Sequence, residues 1–150
     1  MKKYINVLCV LILALMLIDL VVSFFFSTPT SSTKLDLSSY SLGVLLVILF
    51  IALAAFGALC VAFFCFIKFI LNVNRNEVFT KKNVSLIRRY GFCALFCGVS
   101  LIVLNLLGGI DIVKSISGSS DALGEGLFAL LMAEVFGIGL KLQEEKKVVA

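Results

Sequence analysis

The sequence has no histidine, a single proline and few charged residues, and these shortages limit what the protein can do. Without imidazole side chains it has no histidine ligands for haem or quinone, no histidine-based catalytic triad and little basis for zinc chemistry. It also contains no glycine-rich phosphate loop, no nucleophile elbow and no paired catalytic carboxylates. We therefore expect a protein that is not an enzyme and that binds no metal and no cofactor.

Charged residues make up only 15% of the 150-residue chain, whereas hydrophobic residues make up 61%. Soluble domains contain about 45–50% apolar residues, and a soluble chain of this size needs more charge to cover its surface. Because the excess apolar residues must face lipid, the composition predicts an integral membrane protein.

Four apolar stretches are long enough to cross the hydrocarbon core, which takes roughly 20 residues in a helix. They cover residues 4–26, 42–71, 90–107 and 122–140. The first stretch exceeds the about 7–15 apolar residues of a signal peptide, so we expect it to be an uncleaved span. The expected fold class is an all-α integral membrane four-helix bundle that forms one transmembrane domain over residues 1–150.

Lysine and arginine are concentrated on one side of this arrangement. Of the 13 basic residues, only Lys34 and Lys114 fall in the two loops that would face outward. The others lie in or beside the N-terminus, the loop 72–89 and the C-terminal tail. Since cytoplasmic loops are enriched in Lys and Arg, we expect both termini and the loop 72–89 to be cytoplasmic.

The second half of the loop 72–89 has the pattern of an amphipathic helix. Thr80 suits the N-cap position of a helix that begins at Lys81 and runs on into the third span. At about 100° per residue, the polar residues of its first turns share one arc of roughly 120°. The pattern predicts a short cytoplasmic amphipathic helix along the lipid headgroups, with basic residues that contact anionic lipid or a protein partner. These basic residues are Lys81, Lys82, Arg88 and Arg89.

Three polar residues fall inside predicted spans, where such residues are functional candidates by default. They are Asp19, Asn105 and Glu134. Asp19 and Asn105 lie at a similar depth, so a hydrogen bond between them would satisfy both side chains. Glu134 lies nearer the cytoplasmic side, at a depth about 10 Å from that of Asp19. A small proton-coupled transporter or channel that uses Asp19 or Glu134 is therefore an alternative function.

Two further features concern the packing of the second span and the second outer loop. Ala54 and Ala58 lie on one face of the second span and would let another helix approach closely. This favours packing within the bundle, with a homo-oligomer interface as the alternative. The segment 108–121 is rich in glycine and serine, and we expect it to be a flexible outer loop.

Two stretches resemble a known family. They are Asn74–Gly91, N-R-N-E-V-F-T-K-K-N-V-S-L-I-R-R-Y-G, and Val135–Glu145, V-F-G-I-G-L-K-L-Q-E-E. Together with the length and the layout of the spans, they are similar to the bacterial domain of unknown function 2975 family of small four-span membrane proteins. The family's usual acidic-Leu-Thr-aliphatic ending is replaced here by Lys146–Ala150.

The resemblance implies a multi-pass protein of the bacterial cytoplasmic membrane with no assigned activity. Because some members of the family resemble neighbours of small helix-turn-helix regulators, it also implies a cytoplasmic regulatory protein of that type as a partner. No direct contact with nucleic acid is expected. The sequence as a whole favours a non-enzymatic interaction or regulatory module that acts through its basic cytoplasmic loop.

Overall fold

The computed structural model describes residues 7, 11, 14, 18, 40–75 and 78–149. Within this part of the chain, residues 42–149 form three helices: α1 (Leu42–Asn74), α2 (Lys81–Leu107) and α3 (Ile112–Val149). No β-strand occurs among the described residues, in agreement with the predicted all-α class. All three helices are long and apolar enough to cross a membrane.

The structure provides three candidate spans where the sequence predicts four. The chain divides into two compact units, Met1–Asp36 and Leu37–Ala150, and the three helices form the second unit. Of the first predicted span, residues 4–26, only residues 7, 11, 14 and 18 are described, and each is helical. The four-helix bundle therefore stays a prediction, whereas the three apolar helices support a membrane protein.

Helix α1 contains 33 residues and is about 50 Å long, more than the roughly 30 Å of a hydrocarbon core. It ends three residues beyond the predicted limit of the second span. At its C-terminus the backbone N–H of Arg75 donates to the carbonyls of Leu71 and Asn72, at 3.2 and 3.1 Å. The last turn of the helix is thereby closed by its own backbone.

Helix α2 begins where the sequence predicts. Thr80 is the N-cap residue, and its hydroxyl accepts a hydrogen bond of 3.3 Å from the backbone N–H of Asn83. The helix then continues without a break from Lys81 to Leu107. The predicted amphipathic helix is therefore the first part of the same helix that contains the third span.

Helix α3 begins at Ile112, and the expectation of a flexible loop over residues 108–121 is wrong. Only residues 108–111 connect α2 to α3, with Gly109 in the left-handed region at φ 76°. Ser115 and Ser119 are buried, and their hydroxyls donate to the carbonyls of Asp111 and Ser115 within the helix. Serine can satisfy its hydroxyl in this way inside a helix, and its small side chain permits close packing.

Helix α2 lies between the other two helices and packs against both. The contact with α3 is close because glycines lie at the crossing. A Cβ atom on Gly126 would lie 2.8 Å from the backbone nitrogen of Leu95 and 3.0 Å from the carbonyl oxygen of Gly91. Only glycine fits at this crossing, which therefore sets the register of the two antiparallel helices.

On its other side, α2 packs against the small residues of α1. Ala54 and Ala58 are half-buried, and the carbonyl of the neighbouring Ala55 accepts a hydrogen bond of 3.5 Å from the thiol of Cys97. This arrangement agrees with packing inside the molecule.

Candidate functional site

Two buried asparagines join the end of α1 to the beginning of α2. The side-chain amide of Asn72 donates to Oδ1 of Asn83 at 2.7 Å, and Nδ2 of Asn83 donates to the carbonyl of Val78 at 3.0 Å. The two residues are 7% and 0% exposed. Leaving one such group unpaired would cost about 1–3 kcal/mol, so these bonds hold Val78 and the beginning of α2 against the end of α1. We call this arrangement the Asn72–Asn83 joint.

Phe79, just before the beginning of α2, packs against α3. The rings of Phe79 and Phe136 lie 5.4 Å apart, and those of Phe69 and Phe136 lie 5.9 Å apart. Phe79 also lies over Gly139, where a Cβ atom would come within 2.8 Å of its ring. Phe79, which precedes the basic residues, is therefore held against α3, and Phe136 in turn contacts Phe69 of α1.

The basic residues predicted to make contacts all lie on one exposed face of α2. Lys81, Lys82, Arg88 and Arg89 are exposed, whereas Asn83, Leu86 and Gly91 on other faces are buried. We call the first four residues the basic surface. The same face continues along the helix with exposed apolar side chains, which are those of Phe92, Phe96, Val99 and Val103. One side of α2 thus changes from apolar to basic within a single turn, between Phe92 and Arg89.

Two members of the basic surface form ion pairs with acidic residues of α3. Nη2 of Arg88 lies 2.5 Å from Oε1 of Glu134, and Nζ of Lys81 lies 3.4 Å from Oε1 of Glu144. Lys82 and Arg89 have no acidic partner among the residues that the structure describes. The four cations and two carboxylates leave an excess of two positive charges on this face.

Of the three intramembrane residues predicted from the sequence, the structure describes two, Asn105 and Glu134, and these lie at different levels of the helix pair. Asp19 lies outside the described residues, so its hydrogen bond with Asn105 stays a prediction. Asn105 is half-buried near the C-terminus of α2. Glu134 is exposed and forms an ion pair with Arg88. Arg88 lies just outside the predicted third span, which begins at residue 90.

The register of α2 and α3 explains the position of Glu134. Leu95 and Gly98 of α2 lie against Gly126 and Leu123 of α3. The sequence numbers of two residues at the same level, one from each helix, therefore add up to about 221. Glu134 is then level with Arg88, and residues 122–140 do not lie beside residues 90–107 over their whole length. The spans were placed by hydropathy, which contains no information about this register.

Two polar features of the site were missed by the sequence reasoning. Asn83 lies on the face opposite the basic arc, and an amide on an apolar face is the signal that could have revealed a buried hydrogen bond. Glu125 accepts a hydrogen bond from the hydroxyl of Tyr90, whose ring lies 5.7 Å from that of Phe66. No local pattern links Tyr90 with Glu125, because the two residues lie on different helices.

Comparison with known proteins gives one match. The model of a family described as "Protein of unknown function (DUF2975)" matches residues 2–149. No curated protein and no solved structure matches the chain.

Proposed function

The chain belongs to the DUF2975 family, and from this premise we propose that it is a non-enzymatic membrane module whose basic surface contacts anionic lipid headgroups. One observation supports the proposal above all others, namely the change from apolar to basic side chains along one exposed face of α2. If Phe92 and Phe96 face the lipid chains, the next turn of the helix lies at the level of the headgroups.

The charges of this face suit an anionic surface. Each Lys or Arg close to an anionic leaflet contributes about 1 kcal/mol to the interaction. Glu134 and Glu144 offset two of the four cations. The remaining Lys82 and Arg89 would together contribute about 2 kcal/mol, which corresponds to roughly a 30-fold preference for anionic over zwitterionic lipid.

We place the basic surface and both termini on the cytoplasmic side of a bacterial inner membrane. The uneven distribution of Lys and Arg supports this orientation. A cytoplasmic regulatory protein of the helix-turn-helix type is the alternative ligand of the same surface, and a pull-down from lysate tests for it.

The position of Glu134 favours a module over the transporter alternative. A carrier carboxylate must bind and release protons or ions, whereas that of Glu134 is engaged by the guanidinium of Arg88 at 2.5 Å. The variants Asp19→Asn and Glu134→Gln should therefore leave any pH-dependent flux of reconstituted protein unchanged. A loss of flux in either variant would favour the transporter.

Lipid preference can be measured by native mass spectrometry of the full-length protein titrated with phosphatidylglycerol or phosphatidylcholine. We expect phosphatidylglycerol to bind more tightly, and the double variant Lys82→Gln with Arg89→Gln to lose most of this preference. The matched control is Lys114→Gln with Lys146→Gln, which removes two exposed cations that lie elsewhere.

Equal binding of the two lipids, or an unchanged preference in the double variant, would contradict the proposal. In parallel, a pull-down from lysate that depends on Lys82 and Arg89, combined with no lipid preference, would assign the surface to a protein partner instead.

A further inference from the structure

A second polar feature lies apart from the basic surface and deeper along the helices. The backbone of α3 at Gly126 approaches α2 at Leu95, about a third of the way along the predicted span 90–107. The preceding residue, Glu125, is therefore level with residues inside this span. Glu134, which pairs with Arg88, is level with its cytoplasmic end.

The carboxylate of Glu125 lies on the side of α3 that faces α1. It accepts a hydrogen bond from Tyr90, and the ring of Tyr90 packs against Phe66 of α1. Three helical turns further along the same side of α3, Phe136 meets Phe69 of α1. Phe66 of α1, Tyr90 of α2 and Glu125 of α3 therefore lie side by side, one from each helix. We call them the Phe66–Tyr90–Glu125 cluster.

The negative charge of Glu125 is not balanced within the described part of the chain. Glu134 and Glu144 each pair with a cation, whereas Glu125 has no ion pair there and its side chain is exposed. A carboxylate inside a membrane span is costly, up to about 2.5–3.5 kcal/mol at the centre of the span on insertion scales. A carboxylate has about four acceptor positions, and the phenol of Tyr90 occupies one of them.

We propose that the Phe66–Tyr90–Glu125 cluster is a binding site for a lipophilic organic cation that reaches the exposed carboxylate of Glu125 from the bilayer. The carboxylate neutralises the charge of the ligand, and the rings of Tyr90 and Phe66 provide aromatic faces for a cation. A quaternary ammonium, phosphonium or protonated amine with apolar substituents fits this chemistry. A metal ion does not, because Ca²⁺ and Mg²⁺ require about six or more oxygen ligands.

The probe for this site is radiolabelled tetraphenylphosphonium, measured by equilibrium dialysis against the purified full-length protein in a neutral detergent. We expect saturable binding of one cation per chain and a loss of affinity of at least about tenfold in Glu125→Gln. Tyr90→Phe should weaken binding by a few-fold. The matched control is Glu134→Gln, which removes a carboxylate already paired with Arg88 and should bind like the unmodified protein.

The melting temperature of Glu125→Gln shows whether this variant folds. If it does not fold, the site is tested by a second measurement on the unmodified protein. Neutral triphenylphosphine oxide has similar aromatic groups but no charge, so it should not displace the bound cation. The proposal is overturned by the absence of saturable binding, by equal binding in folded Glu125→Gln, or by displacement with the neutral compound. None of these results depends on the lipid preference of the basic surface.

Discussion

Replacing Asn83 with alanine should destabilise the protein strongly, because it removes the centre of the Asn72–Asn83 joint. The substitution leaves the side-chain amide of Asn72 and the carbonyl of Val78 without the bonds of 2.7 and 3.0 Å that they now make. Each buried polar group left unpaired costs about 1–3 kcal/mol. We expect the free energy of unfolding to fall by roughly 2–4 kcal/mol.

The loss can be measured by denaturant-induced unfolding of the full-length protein in detergent micelles, followed by circular dichroism. The control is Asn74→Ala, which removes the same chemical group from an exposed position two residues beyond Asn72. A double-mutant cycle with Asn72→Ala should give a coupling energy of about 0.5–3 kcal/mol, since the two side chains contact each other. If Asn83→Ala and Asn74→Ala had equal effects, the role of the joint would be refuted.

Three further predictions concern packing, accessibility and orientation. Gly126→Val should lower the free energy of unfolding by more than about 2 kcal/mol, because a Cβ atom there lies 2.8 Å from the backbone of Leu95. Gly124→Ala, which has open space around it, should have little effect, and similar losses in both variants would contradict the proposed crossing. Cys60 is exposed and Cys65 is buried, so Cys65→Phe should lower the free energy of unfolding more than Cys60→Phe; equal losses would argue against the orientation of α1. A reporter enzyme that works only in the cytoplasm should be active when it is fused at Asn76. Activity of a reporter that works only in the periplasm, fused at the same residue, would reverse the assigned orientation.

The two proposed sites differ in their depth in the bilayer and in the charge of the ligand that each would bind. The basic surface follows the apolar part of α2 and suits negatively charged headgroups. The Tyr90–Glu125 pair lies deeper and suits a positively charged ligand. Since the two sites require ligands of opposite charge, phosphatidylglycerol should not compete with tetraphenylphosphonium for the Tyr90–Glu125 pair.

Local features of the chain were sufficient for part of this structure. The high apolar content implies membrane helices in any arrangement, because water cannot solvate so much hydrocarbon surface. The N-cap at Thr80 and the exposed arc of basic residues depend only on neighbours within a few turns. For this reason both could be predicted from capping preference and helical periodicity.

Contacts between distant residues decided the rest. Gly126 sets the register of α3 against α2, and this register places Glu134 beside Arg88 and Glu125 deeper in the helix pair. The partner of Asn83 is eleven residues away on another helix. Residues 112–121 are helical although their composition suggests a loop, because buried serines at the helix interface satisfy their own hydroxyls. Composition and periodicity describe one helix at a time, whereas these features exist only where two helices meet.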